Sequence, residues 1–136
     1  METNVLDLSR SPYQRFLGLS LLRVEDGLVE IRLPFREEFG RDDNSDWLHG
    51  GILSALIDIA GDYAIVTKVG KELPTIDLRV DYLRPARLGA LVATGRVVKL
   101  GRRVALADVE VKDESGNIVA IGRGAYASPG GSETSR

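Results

Sequence analysis

The chain has 136 residues, a formal net charge of -2, one histidine and no cysteine. This length suits one domain with a full core, and the composition excludes disulfides, thiolate nucleophiles, cysteine-based metal sites and a histidine-rich metal site. Positive and negative residues are interspersed, so no basic stripe indicates nucleic-acid binding and no polycationic segment indicates a membrane surface.

The two ends of the chain carry few structural signals. Residues 1–5 lack the basic and apolar regions of a signal peptide, and no apolar run is long enough to span a bilayer. A cytoplasmic protein is therefore expected. Residues 128–136 are small and polar and are expected to form a disordered tail, which leaves residues 1–127 as a single domain.

The first predicted elements are a short helix and a β-hairpin. A Ser-Pro pair followed by apolar residues at helical spacing predicts a helix over residues 11–17. Residues 19–24 and 27–33 have strand-like composition and are separated by an Asp-Gly turn signal. The charged stretch 36–46 shows neither helical nor strand periodicity, which predicts a loop.

One long run of helical periodicity, residues 51–67, is followed by four predicted strands. These strands cover residues 76–82, 90–100, 103–111 and 118–127. In the first of them, Ile76, Leu78, Val80 and Tyr82 occupy alternate positions, which predicts that they share one face. Glycines lie inside the later strand runs, where they permit a bulge, a bend or a close backbone approach: Gly95, Gly122 and Gly124. The pattern predicts an α+β fold in which a curled antiparallel sheet wraps one long central helix.

The long helix is apolar except for a line of Ser54, Asp58 and Asp62, spaced four residues apart. Its predicted buried stripe follows the helical period: Ile52, Ala55, Leu56, Ile59, Ala60, Tyr63 and Ala64. Aspartate is a poor residue inside a helix, and like charges at this spacing are mildly destabilising. Two interpretations are open. Either the polar line is the solvated face of an ordinary helix, or its carboxylates take part in catalysis.

His49, Gly50 and Gly51 lie at the start of this helix. A helix N-terminus offers unpaired N–H groups, and glycines let a ligand oxygen approach those groups without a side chain in the way. This is the composition of an oxyanion hole, with Gly51 as a substrate-binding residue. A Gly-Gly pair is also common at a flexible junction between a loop and a helix.

The spacing between the glycines and the first aspartate predicts a dimer. Gly51 and Asp58 are seven residues apart, which corresponds to ~10 Å along one helix at ~1.5 Å per residue. One carbonyl group cannot lie within about 3 Å of both a carboxylate and an amide donor at that separation. If both groups take part, they come from two chains, which predicts a homodimer with antiparallel helices and two equivalent composite sites.

The order of these features resembles the hotdog-fold acyl-CoA thioesterases of the phenylacetate-degradation (PaaI-like) type, related to the Arthrobacter-type 4-hydroxybenzoyl-CoA thioesterases. The resemblance covers residues 18–127 and rests on His-Gly-Gly with an aspartate nine residues after the histidine, on Val-Asp-Tyr-Leu-Arg-Pro-Ala at 80–86, and on Gly-Asn-Ile-Val-Ala at 116–120. It implies a sheet wrapped around the helix and a homodimer with antiparallel helices, assembled as a dimer of dimers. It implies an acyl-CoA substrate and no separate cofactor.

The resemblance also implies roles for individual residues. Asp58 stands where relatives have a catalytic carboxylate that acts as nucleophile or as base for water. Gly50 stands where a backbone N–H polarises the thioester carbonyl, and His49 stands where an imidazole supports that loop and the substrate. Thr75 falls near a position where relatives place a hydroxyl close to the reacting centre.

Two positions depart from the family pattern. Relatives often have Asn or Gln six residues before the histidine, where this chain has Asp43, so the adjacent Asn44 is the candidate for that contact. Asp62 stands where relatives vary. It either raises the pKa of Asp58 or faces the partner subunit, and both interpretations remain open.

Coenzyme A carries phosphates, which the family binds on basic residues near the subunit boundary. The candidates are Arg84 and three residues of one predicted turn: Lys99, Arg102 and Arg103. Arginines in turns are also commonly no more than solvated. Trp47 and Tyr63 either line the acyl pocket or belong to the core.

Thioester hydrolysis is the function that the resemblance favours, and two alternatives remain. Hotdog hydratases and dehydratases act on the same thioesters, but they need a histidine and a carboxylate facing one acyl chain, and the single histidine here precedes the helix. A non-catalytic acyl-CoA-binding module is the second alternative. Release of free CoA thiol from acyl-CoA distinguishes the thioesterase from both.

Overall fold

A computed structural model describes residues 6–128, which form two helices and six strands. The helices are α1 (Pro12–Leu17) and α2 (Gly50–Val69), and a short 3₁₀ turn, Glu37–Phe39, lies before α2. The strands are β1 (Ser20–Glu25), β2 (Leu28–Leu33), β3 (Thr75–Tyr82), β4 (Leu91–Leu100), β5 (Val104–Lys112) and β6 (Ile118–Ala127).

The strands form one antiparallel sheet in the order β1-β2-β4-β5-β6-β3, with α2 packed against it. The long helix contacts β2, β3, β4, β5 and β6. This is the hotdog fold, and the predicted α+β class is confirmed. β1 and β3 are the two edge strands of the sheet.

The N-terminal helix and hairpin form where the sequence predicts them. The Ser11 side chain accepts a hydrogen bond from the Gln14 N–H, and Gly18 ends α1 in the left-handed conformation. Gly27 adopts φ 80° in the turn between β1 and β2, a value that side chains disfavour. Leu17 is the buried residue of α1, so this short helix covers the core mainly through one side chain.

The buried face of α2 is rotated relative to the predicted stripe. Leu53, Leu56, Ile57, Ala60 and Ala64 are buried. The residues of the predicted stripe nearest the polar line are only partly buried in the single chain: Ile52, Ala55 and Ile59. Helical periodicity predicts that one face is buried, but the sheet that covers the face determines where its boundary lies.

Gly95 shows why glycines interrupt the strands. A Cβ added at Gly95 would lie 2.5 Å from the carbonyl oxygen of Ala60, and real Cβ atoms do not approach oxygen so closely. The backbone of β4 therefore contacts α2 directly, so that of the three possibilities left open for these glycines, Gly95 shows the close backbone approach.

β3 contains a bulge that matters for the site. Thr75 pairs with Tyr126 while Asp77 pairs with Ala125, so Ile76 is an extra residue in β3. The predicted alternation is wrong at this position, because Ile76 is 57% exposed. Thr75 and Tyr82 are seven residues apart, which would put them on opposite faces of a regular strand, but the bulge lets both side chains contact α2.

The predicted loop and tail are partly ordered. Phe39 of the 3₁₀ turn is buried, and Gly40 forms an isolated bridge with Leu48 directly before α2. Ser128, the first residue of the predicted tail, is buried, and its N–H donates to the Arg103 carbonyl at 2.9 Å. The rest of the predicted tail and residues 1–5 lie outside the described part of the chain.

Neither α1 nor α2, the two helices of the described residues, is long and apolar enough to cross a membrane.

Candidate active site

Asp58 lies in the middle of α2 and is held from two sides. The Thr75 hydroxyl donates to Oδ1 of Asp58 at 2.8 Å, and the Tyr126 hydroxyl donates to the Asp58 carbonyl oxygen at 3.0 Å. Within residues 6–128, Oδ2 of Asp58 has no hydrogen-bond partner. The structure therefore brings the predicted Asp58 and Thr75 together and leaves one carboxylate oxygen available.

His49 is the N-cap of α2. Its Nδ1 accepts a hydrogen bond from the Gly51 N–H at 3.0 Å, so Nδ1 carries no proton in this arrangement. The N–H of Gly51 is therefore occupied, which differs from the expectation that both glycine amides are open to a ligand. Gly51 still keeps the helix end free of a side chain.

The N–H of Gly50 remains as a donor at the same helix end. No acceptor within residues 6–128 binds this N–H. It lies at the positive end of the helix dipole, where a developing negative charge is stabilised. Gly50 thus offers an unpaired N–H at a helix N-terminus, the kind of group that serves as an oxyanion donor.

Tyr82 contacts the same glycine from the end of β3. Its hydroxyl donates to the Gly50 carbonyl oxygen at 3.2 Å and hydrogen-bonds the Ser54 hydroxyl. Sequence analysis missed Tyr82 and Tyr126 as site residues. Tyr82 lies in the segment 80–86 that carries the resemblance, but only the folded sheet shows that its hydroxyl reaches α2.

Asp62 lies one turn beyond Asp58 and accepts a hydrogen bond from the Leu73 N–H at 3.1 Å. Burial raises the pKa of Asp62 to about 7. The Leu73 N–H opposes this shift, while the negative charges of Glu72 and Asp58 add to it. Asp62 is thus electrostatically coupled to Asp58 within one chain.

Replacing Asp62 by Asn should stabilise the protein more at pH 8 than at pH 5. The folded pKa of about 7 lies above the ordinary value of 3.8, so the folded state binds the proton more tightly. The free energy of unfolding contributed by this group is highest at low pH and falls as the pH rises towards 7. Asn keeps an acceptor for Leu73 and has no charge to bury.

Thermal melts of both proteins at the two pH values test this prediction. The melting temperature should rise by several degrees at pH 8, since ~1 kcal/mol corresponds to about 4 °C in a domain of this size. Asp26→Asn changes an exposed carboxylate in the β1–β2 turn and serves as the control. An equal gain at both pH values would contradict the prediction.

Asn44 does not join the site within one chain. It is exposed in the loop before α2, and its N–H donates to Oδ1 of Asp42 at 3.0 Å. Its side chain makes no hydrogen bond to Asp58 or His49 in the described structure. The predicted contact to a water or a carbonyl therefore has no support from the single chain.

The candidate phosphate-binding residues lie at opposite ends of the chain's sheet. Arg84 follows β3 at the Gly50 end of α2 and lines a pocket there. The other three, Lys99, Arg102 and Arg103, line a surface groove of about 370 Å³ at the β4–β5 turn. This turn lies at the Thr75 end of β3, since Ser128 bonds Arg103 and Ala127 bonds Pro74.

A mostly apolar pocket of about 440 Å³ opens beside Gly50. Its lining consists of Trp47, Leu48, Gly50, Leu53, Tyr82, Leu83, Arg84, Pro85 and Ala86. Trp47 therefore lines this pocket, and the guanidinium groups of Arg41 and Arg87 lie 5.2 and 6.0 Å from the centre of its ring. Tyr63 is buried in the core instead, with its hydroxyl bonded to Gln14 and Glu72.

Within one chain these groups form two half-sites. Asp58 and Thr75 form the first, and Gly50, His49 and Tyr82 form the second. Gly50 and Asp58 are eight residues apart on α2, or ~12 Å along the axis at ~1.5 Å per residue. A carboxylate and an oxyanion donor are both present, but no single carbonyl reaches both in one chain.

The chain matches known proteins over most of its length. The family described as the thioesterase superfamily matches residues 47–120. The medium/long-chain acyl-CoA thioesterase YigI of Salmonella typhimurium is 31% identical, with 85% of this chain and 84% of that protein covered.

Two solved structures agree with this match. A thioesterase-superfamily protein solved by X-ray crystallography is 41% identical and superposes with a TM-score of 0.87, covering 93% of this chain and 96% of that one. A variant of the phenylacetic acid degradation protein PaaI from Thermus thermophilus is 32% identical with a TM-score of 0.76, covering 87% of this chain and 99% of that one. Together with the fold, these matches show that the chain belongs to the thioesterase superfamily and is a thioester hydrolase.

Proposed function

We propose that this enzyme hydrolyses an acyl-CoA as a homodimer with two composite active sites. One observation carries the proposal: the Asp58 carboxylate, held by Thr75, and the N–H of Gly50 are both available but lie too far apart on one helix to act on the same carbonyl. Two antiparallel α2 helices would complete both sites at once, because each site would combine Asp58 of one subunit with Gly50 of the other.

The free edge of β3 supports this pairing of two chains. β3 ends the strand order, and an edge strand offers its unpaired backbone groups to a second copy. Antiparallel pairing about the strand's midpoint would bring Thr75 opposite the partner subunit's Tyr82. Because Thr75 bonds Asp58 and Tyr82 bonds Gly50, the two half-sites would then meet.

Exposed apolar residues along the same edge also favour a second copy. Ile76, Tyr82 and Leu83 are 57%, 53% and 52% exposed in the single chain. The partly buried Ala55 and Ile59 lie on the uncovered side of α2, beside Asp58. Contiguous apolar surface of this kind marks an interaction site.

The reaction follows from the groups that would meet in the composite site. The Gly50 N–H donates to the thioester carbonyl oxygen, where negative charge develops in the tetrahedral intermediate. Asp58 either removes a proton from a water whose oxygen adds to the carbonyl carbon, or attacks that carbon itself and forms a mixed anhydride that water hydrolyses after the sulfur has left. The C–S bond then breaks, the sulfur of CoA leaves as a thiolate that takes up a proton, and the acyl group leaves as the free acid.

The pocket beside Gly50 and the basic residues support an acyl-CoA as substrate. The apolar lining suits a hydrocarbon or aryl acyl group, in keeping with the name of YigI and with a PaaI-like subtype. In the antiparallel pair, Arg84 of one subunit would lie near the partner subunit's β4–β5 turn, so that both could bind the CoA phosphates. The substrate supplies its own CoA, and the proposal requires no other cofactor.

Release of CoA thiol from a panel of aliphatic and aromatic acyl-CoA esters tests the function directly. We expect steady multiple-turnover release with at least one medium-chain or aryl ester. Acyl-CoA binding without thiol release would overturn the proposal in favour of a binding module. Hydration of an enoyl-CoA without thiol release would favour a hydratase.

A further inference from the structure

The peptide group between Gly50 and Gly51 is held at both of its polar atoms. Its carbonyl oxygen accepts a hydrogen bond from the Tyr82 hydroxyl at 3.2 Å. Its N–H, which belongs to Gly51, donates to Nδ1 of His49 at 3.0 Å. β3 and the residue before the helix thus fix the same peptide plane from opposite sides.

The double contact matters because both residues that flank this peptide group are glycines. Gly50 and Gly51 have no Cβ to restrict their backbone angles, so the first turn of α2 depends on such contacts to hold its peptide planes. The N–H of Gly50 is joined to the fixed plane through the Cα of Gly50. The N–H of Gly50 itself belongs to the preceding peptide plane, whose carbonyl oxygen, that of His49, accepts from the Ile52 N–H at 3.1 Å. With both planes held, rotation at the Gly50 Cα is restricted, and so is the direction in which the Gly50 N–H points.

We infer that Tyr82 is a positioning residue for the oxyanion donor, acting with His49 to aim the N–H of Gly50 at the substrate carbonyl. The inference rests on the proposed function, since it assigns that N–H to the carbonyl oxygen. Tyr82 acts through Gly50 and touches none of the reacting atoms. Its ring also packs on Gly50, because a Cβ added there would lie 3.3 Å from Cε1 of Tyr82.

The position of Tyr82 in the proposed dimer adds a second reason for its role. Antiparallel pairing of β3 would bring Tyr82 opposite the partner subunit's Thr75, which bonds the catalytic carboxylate. The Tyr82 side chain would then contact Gly50 of its own subunit and also lie at the subunit boundary, next to the carboxylate of the partner subunit. Oxyanion donors lower the barrier only when their direction is fixed before the reaction.

Tyr82→Phe tests the inference because it keeps the ring and removes the hydroxyl. We expect kcat to fall about tenfold, the size of one lost hydrogen bond, with KM changed less than about twofold and an unchanged melting temperature. Tyr13→Phe removes the hydroxyl of a half-exposed tyrosine on α1 and is the matched control. Unchanged kcat, or equal changes in kcat and KM with a lower melting temperature, would overturn the inference.

A double-mutant cycle that combines Tyr82→Phe with His49→Ala adds a sharper test. Because both side chains hold one peptide plane, the double variant should lose less activity than the product of the two single losses. Losses that multiply would overturn the inference, because they would show that the two contacts act independently.

Hydrogen exchange at the Gly51 amide gives a readout that does not depend on turnover. In Tyr82→Phe this amide should exchange faster, because its peptide plane loses one of the two side-chain contacts that hold it. Unchanged exchange would overturn the inference even if the enzyme is active. Absence of thiol release by the unmodified enzyme, with faster exchange in the variant, would instead contradict the proposed function alone.

Discussion

Asp58→Asn should lower kcat by about 10²–10⁴-fold, the range for loss of a catalytic acid or base. Asn has the size of Asp and keeps an oxygen that can accept the hydrogen bond from Thr75, so the fold and the position of the side chain are retained. The amide can neither attack a carbonyl carbon nor remove a proton from water. Substrate binding should change little, because Asp58 acts mainly in the transition state.

Steady-state release of CoA thiol and calorimetric binding of the acyl-CoA measure the two effects separately. Asp26→Asn makes the same chemical change at an exposed carboxylate that pairs with Lys68, and it should keep normal turnover. A rate near that of the unmodified enzyme in Asp58→Asn would remove Asp58 from the mechanism. Loss of binding together with turnover would indicate a binding role instead.

Local sequence patterns predicted the elements well because the patterns themselves are local. The Ser-Pro pair, the Asp-Gly turn and the long helical period all occur within a few residues of the structure that they specify. The last strand, β6, is observed at its predicted bounds, Ile118–Ala127. α2 is longer than predicted, because His49 and Gly70 cap it at both ends.

The bulge at Ile76 shows where local patterns stop being informative. The alternation of Ile76, Leu78 and Val80 predicted one continuous face, but the register of β3 depends on its pairing with β6. That pairing joins residues about fifty positions apart in the chain, such as Thr75 and Tyr126. A single-residue shift then decides whether the Thr75 hydroxyl reaches Asp58, which the sequence of β3 alone does not specify.

In the candidate site, too, sequence patterns identified residues that lie close together in the chain and missed residues that approach from distant strands. Motif spacing was sufficient to nominate Asp58 and Gly50, which lie on one helix. Tyr82 and Tyr126 were missed because their hydroxyls reach α2 from strands distant in sequence. The cap from His49 to Gly51 is local, yet resemblance to a family suggested only a supporting role and did not reveal that it occupies one of the two glycine amides.

Gly50→Pro should lower kcat by about 10²–10³-fold, the loss expected for one oxyanion-hole donor. Proline has no N–H and is favoured at the first position of a helix, where that N–H has no helical partner. His49 already has φ -67° and ψ 136°, a conformation that a following proline permits. The variant therefore removes the donor while preserving α2.

Gly50→Ala is the matched control, because it adds the same Cβ near Tyr82 but keeps the N–H. It should retain most of the turnover that Gly50→Pro loses. Equal losses in the two variants would assign the effect to crowding against Tyr82 and would contradict the oxyanion role. Circular dichroism should show the same helix content in both variants.

Mixing Gly50→Pro chains with Asp58→Asn chains tests whether each site is shared between two subunits. In a mixed dimer, one composite site would combine the intact Gly50 of one chain with the intact Asp58 of the other, while the second site carries both changes. Random reassociation of equal amounts should therefore restore about a quarter of normal activity, since half of the dimers are mixed and each has one working site. If each chain built its site alone, the mixture would be as inactive as its parents, and the ~12 Å between the two groups on α2 would have to be bridged within one subunit.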